Sequence, residues 1–162
     1  MFDPTTLTGF HTWLSLIAIL AGFFVVPALL KGHTKPGWTG TFLSTAFATS
    51  ATGFALPASG ILPSHIFGVV SILLLVPAGY GLYARMLEGP WRRIYAICVV
   101  IAHYLLCFVG VFQAFLKAPA LHALAPTQSE PPFAIAQGAL FVAFAVLTYL
   151  AARRFPAGPQ AA

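Results

Sequence analysis

Charge is what this sequence has least of. Of 162 residues only 7% are charged, eight of them basic and three acidic, against a hydrophobic share of 59% and a mean hydropathy of +0.90. A soluble globule needs about a quarter of its residues charged to clothe its surface. The composition therefore excludes one and indicates a membrane protein. The net charge of +5 does not imply a nucleic-acid partner, because the basic residues stand singly or in pairs beside apolar runs, with no stripe or patch that could follow a phosphate backbone.

Cysteine is nearly as scarce. Cys98 and Cys107 lie in one apolar run; nine residues apart on a helix, they are separated by ~13 Å, too far to bridge. No disulfide framework is implied, and Cys107, with no base or cation beside it, reads as packing. HxxxH, HExxH and CxxCH spacings are absent, as are internal repeats and low-complexity segments. The amino terminus has Asp3, no Lys or Arg before the first apolar run and no small-x-small cleavage site. The first helix is expected to be retained.

What is present is a series of five apolar segments, at about 9–30, 39–58, 64–84, 91–117 and 132–152, each near the ~20 residues that cross a bilayer core. The expected fold is an all-α bundle of five transmembrane helices forming one domain over residues 1–155, with a short cytoplasmic tail at 156–162. The second segment is the most polar, with Thr41, Ser44, Thr45, Thr49, Ser50 and Thr52. Such hydroxyls can bond to their own helix carbonyls, and small residues favour close helix packing. Under this threading Lys31, Lys35, Arg85, Arg92, Arg93, Arg153 and Arg154 fall on one side and Lys117 on the other. The positive-inside rule makes the first side cytoplasmic. The amino terminus and the segment APTQSEPP (125–132) then face outward, which in a Gram-negative cell is the periplasm.

That segment is unusually polar for this chain. Thr127-x-x-Glu130 has capping-box spacing, yet the residue before a proline is pushed toward extended conformations, so Pro131 opposes a helical Glu130. The last helix is expected to begin at Pro131 or Pro132 instead. Thr127, Gln128 and Ser129 then face solvent or a site. The short connection from Pro119 to Pro132 must stay near the bundle, so the segment is expected to fold inward, bringing Gln128 or Glu130 toward the histidines of the outer end.

His11 and His65 lie near the outer starts of the first and third helices, at matching depth. Ser15, Ser64, Gln113, Lys117, Gln128 and Gln137 fall close to the same surface and make a candidate polar pocket, and His122 and Glu130 lie in the adjoining connection. Two neutral imidazoles suit a b-type haem iron or a transition metal; His122 or Glu130 as further ligands would favour zinc or non-haem iron. For each histidine the alternative is an interfacial ring bonded to a loop carbonyl or water. His103, midway along the fourth helix, needs a partner in the bundle, and the hydroxyl face of the second helix is the expected supplier. His33 belongs to the basic loop and is expected to be solvated.

The segments GWTGTFLST (37–45), TSATGF (49–54), LPSH (62–65), GPWRRIY (89–95) and above all APTQSEPPF (125–133) resemble those of small polytopic proteins encoded in bacterial genomes. The resemblance implies a multi-pass inner-membrane protein and no particular reaction. The chain also invites comparison with b-type membrane cytochromes, but departs from the two-haem pattern, since only His11 and His65 form a depth-matched pair. Three functions follow as expectations: a redox protein holding one haem b or a metal ion, a structural or accessory subunit of a larger membrane complex or homo-oligomer, and a binder or transporter of a small molecule or lipid. No nucleophile, base and orienting group can be named from spacing, so no catalytic residue is assigned.

Overall fold

Apolar runs bounded by Pro, Gly and hydroxyl residues become helices throughout the described part of the chain, which in this computed structural model comprises residues 3–56 and 63–157, apart from the side chains of Pro63, Ser64 and Ala157. The expected tail lies outside this range from residue 158 onward, as does the connection 57–62. The elements are α1 (Leu7–Leu30), α2 (Pro36–Gly53), α3 (Pro63–Gly79) continuing into a π-helical turn (Tyr80–Ala84), α4 (Trp91–Lys117), the short α5 (Pro119–Leu124) and α6 (Pro131–Ala157). Among the described residues four stretches are long and apolar enough to cross a membrane: Leu7–Leu30, His65–Ala84, Trp91–Lys117 and Pro131–Pro156. The chain is an all-helical, multi-pass membrane protein.

The second expected segment is a helix with shifted bounds. It starts at Pro36, where the missing N–H and fixed φ of proline suit a first helical position, and it ends at Gly53 rather than at 58. Its 18 residues span about 27 Å at 1.5 Å per residue, and its hydroxyls keep it out of the strongly apolar set. Five of those six hydroxyls are satisfied locally, while Thr49 Oγ1 is buried with no partner among the described residues. Thr41, Ser44, Thr45, Ser50 and Thr52 each donate to the carbonyl four residues back, at 2.6 to 3.0 Å. A polar sequence thus presents few free donors to an apolar surround.

α4 is the central helix, packed on α1, α3 and α6, and its buried residues include Tyr95, Val99, Val100, Ala102 and His103. Small residues on α1, among them Ala18, Ala21 and Gly22, let it approach closely. The π-helical turn places Gly81 against Trp91, where an added Cβ would lie 3.2 Å from the indole. The chain then reverses through Met86 (φ 47°), Leu87 (φ 59°) and Gly89 (φ 54°).

Contacts between helix termini define two ends. At one, His11 reaches the last turn of α2 and Phe115 meets Phe133 at the start of α6. At the other, Phe24 stacks on Trp38, and Arg92 bonds to the carbonyls of Gly32 and Phe155. Lys117 belongs to the His11 end. The remaining seven lysines and arginines all belong to the Arg92 end.

Candidate functional site

The His11 end is built by helix termini, and each side chain there is set by what its helix leaves unpaired. His11 sits one turn into α1, half-buried, with Nδ1 3.0 Å from Thr52 Oγ1. The Thr52 hydroxyl already donates to the Ala48 carbonyl at 2.8 Å, so its oxygen accepts and His11 Nδ1 must carry the proton. In the neutral ring Nε2 is then the acceptor, and no described residue bonds it. A metal-ligating histidine is commonly held in this way, one ring nitrogen donating to the protein and the other left as ligand. Thr52 stands in the sequence as one of the α2 hydroxyls and not as a site residue. Its spacing on α2 was visible, but its pairing with α1 depends on how two helices meet.

His65 stacks on Phe54, with centroids 5.8 Å apart and planes 12° from parallel. Both rings thus bear on the end of α2, His11 through Thr52 and His65 through Phe54. Gly68, one turn after His65, keeps α3 close there: a Cβ on it would lie 3.1 Å from the Phe54 ring.

The remaining predicted residues divide. Ser15 donates its hydroxyl to the His11 carbonyl at 2.8 Å, bracing its own helix. Gln137 crosses from α6 to α4, its Nε2 donating to the Phe108 carbonyl at 3.1 Å. Its Oε1 is buried without a partner, as are Gln113 Oε1 and Gln128 Nε2. These three amide atoms lie on α4, on α6 and in the connection between them. Lys117 and His122 are exposed. The side chain of Ser64 lies outside the described residues.

Glu130 behaves differently from the inward reach expected of it. Its carboxylate accepts from the Thr127 backbone N–H at 3.2 Å, the Thr127 hydroxyl at 2.9 Å and the Ser129 backbone N–H at 3.1 Å. The cause lies in the next two residues. An N-terminal helix turn normally offers free N–H groups to an acid, but Pro131 and Pro132 have none, and the Phe133 and Ala134 N–H groups both bond to the Glu130 carbonyl, at 3.1 and 3.2 Å. With no donors ahead, the carboxylate turns back onto its own loop. Partial desolvation pushes its pKa up, but the bonds from Thr127 and Ser129 outweigh this and hold it below the ordinary glutamate value. The loop itself does stay against the bundle, through the buried Ala125 and the half-buried Gln128. Gln128 pays for that position with a left-handed backbone, φ 54°.

Among the described residues no three His, Cys, Asp or Glu side chains come together as a metal-binding group. His122 and Glu130 therefore do not join His11 and His65 in one cluster. His103 finds its partner on α1 rather than on the α2 hydroxyls: Nε2 donates to the Ile19 carbonyl at 3.1 Å. The edges and faces of Phe23, Phe42 and Phe144 surround the ring, with centroids 4.9, 5.9 and 5.2 Å away. Its Nδ1 is buried without a partner. The Cys98 and Cys107 thiols are free and buried.

Compared with protein-family models, with curated proteins and with solved structures, the chain gave no match.

Proposed function

We propose that this chain is a five-span protein of the bacterial inner membrane that binds one redox-active metal centre, a transition-metal ion or the iron of a b-type haem, through His11 and His65 at its periplasmic end. The observation that carries this reading is the His11–Thr52 bond, which fixes the imidazole tautomer and leaves Nε2 as a ligand. The tight contact of Gly68 with Phe54 beside His65 favours a single ion over a macrocycle. α2 supplies the fifth span, protected inside the bundle by its internal hydroxyl bonds. The seven-to-one division of basic residues between the two ends orients the Arg92 end to the cytoplasm and the amino terminus outward. The carboxyl-terminal side of α6 is then cytoplasmic, and a carboxyl-terminal reporter active only in the periplasm would reverse this orientation.

Absorption spectroscopy and metal analysis of the detergent-purified protein test the centre directly. A haem band or a stoichiometric metal should be lost in His11→Ala and in His65→Ala and retained in His33→Ala. A protein that carries neither and takes up neither haem, iron nor copper when these are added sinks the proposal. An accessory role is the second reading, favoured by the apolar side of α6, where Ile135, Phe141, Val142, Val146 and Tyr149 are exposed. Native purification with a stoichiometric partner would support it.

A further inference from the structure

The Arg92 end carries a second feature that owes nothing to His11 and His65. A partly enclosed recess of about 180 Å³ opens there, lined by Gly32, His33, Thr34, Leu87, Arg92 and Phe155. It has room for several waters, or one small hydrated anion. Arg92 is only 7% exposed. Its Nε donates to the Phe155 carbonyl at 3.3 Å, and its Nη2 donates to the same carbonyl at 2.8 Å and to the Gly32 carbonyl at 3.2 Å. The guanidinium carbon lies 4.4 Å over the Phe155 ring.

These contacts hold the guanidinium at the carboxyl-terminal ends of α1 and α6, where helix carbonyls favour a cation. They do not neutralise it. Among the described residues every partner is a neutral carbonyl or a ring, no carboxylate bonds it, and neither Nη1 donor has a partner. A buried cation without a counter-charge is costly, and a guanidinium fork matches phosphate geometry. Thr34 and His33 line the same recess and add polar groups. Lys31, Lys35, Arg85, Arg93 and Arg154 are exposed at this end and raise its positive potential, against one acid, Glu88.

We infer that this recess binds a phosphate group through the free Nη1 face of Arg92. The chemistry is shared by two sources, the headgroup of an anionic phospholipid and inorganic phosphate. The recess lies where α1 and α6 end and α4 begins, at the level expected for headgroups, and basic recesses between helices on the cytoplasmic side are typical of anionic-lipid sites.

Thermal unfolding of the full chain in a non-ionic detergent tests the site, with three probes: inorganic phosphate, phosphatidylglycerol and phosphatidylcholine, each against chloride at matched ionic strength. A bound anion should raise the midpoint in a saturable way. A shift with phosphatidylglycerol alone identifies a lipid headgroup; a shift with inorganic phosphate identifies a free anion. Arg92→Lys should weaken binding at least tenfold, but it also removes the clamp on two helix ends. Thr34→Glu and Thr34→Gln leave that clamp intact. The first places a carboxylate at the recess and should abolish the shift, and the second should keep it. Equal shifts in the two Thr34 variants, or no shift in the unmodified chain with any probe, would overturn the inference.

Discussion

Replacing Gly22 by alanine should destabilise the bundle out of proportion to one methyl. On the backbone of α1 that methyl would lie 2.5 Å from His103 Nε2 and 2.6 Å from Cγ, where carbon contacts are comfortable at about 3.5–4.0 Å. The ring must retreat by about 1 Å. Phe23, Phe42 and Phe144 stand around it, so it cannot retreat without displacing them, and the 3.1 Å bond to the Ile19 carbonyl is lost on the way. Overpacking costs about 1–3 kcal/mol, and an interhelical bond in a membrane bundle contributes about 0.6–2 kcal/mol. The expected loss is about 2–4 kcal/mol.

Unfolding in mixed detergent, followed by circular dichroism, measures it, and a double-mutant cycle assigns the cause. In a His103→Ala background the clash is gone, and alanine is the better helix former by up to ~1 kcal/mol, so Gly22→Ala should there be neutral or stabilising. A cost that is the same in both backgrounds would refute the idea that Gly22 exists to admit the imidazole.

Three further outcomes are expected. Thr52→Val removes the acceptor that orients His11, and should weaken metal or haem binding by about 10–100-fold with helix content unchanged, as removal of a ligand's supporting partner does elsewhere; equal affinity in the variant would argue against the tautomer assignment. The Glu130 carboxylate has a depressed pKa, so its stabilisation of the loop is present above the unfolded glutamate pKa and is lost as pH falls through the folded value; protease sensitivity of residues 125–132 should rise in acid, and Glu130→Gln should flatten that dependence. Gln128→Gly relieves a left-handed residue and should stabilise the loop by up to about 1–2 kcal/mol, with Gln128→Val costing stability, both read by the same unfolding assay.

The bilayer makes part of this architecture legible in advance. A span needs about 20 apolar residues whatever they pack against, so the long apolar runs disclose themselves, and the proline pair at 131–132 correctly marks the start of α6. Pairing between helices is another matter. His103 required a partner, but nothing in its own helix says whether that is an α2 hydroxyl or an α1 carbonyl. The clue stands far away in sequence, at Gly22, the one position on that turn of α1 with no side chain to block the ring. The same holds for His11 and Thr52, which are 41 residues apart.

Glu130 illustrates the limit most clearly. The sequence conflict between capping-box spacing and Pro131 was real, and it does keep Glu130 out of the helix. What the conflict cannot specify is where the carboxylate goes next. Reaching inward would require it to leave water for a bundle end where Gln113 and Gln137 bury unpaired oxygens that repel an anion, and where, among the described residues, the one buried unpaired amide donor is that of Gln128. Turning back gives it three donors at no desolvation of the bundle, two of them backbone N–H groups that the adjacent prolines cannot supply. An acid beside a predicted site is drawn into it only when the site offers donors or a cation and the acid's own loop does not. The Arg92 end presents the inverse case. Among the described residues a cation is held there by neutral acceptors and a ring alone, and its two remaining donors are where we place the phosphate.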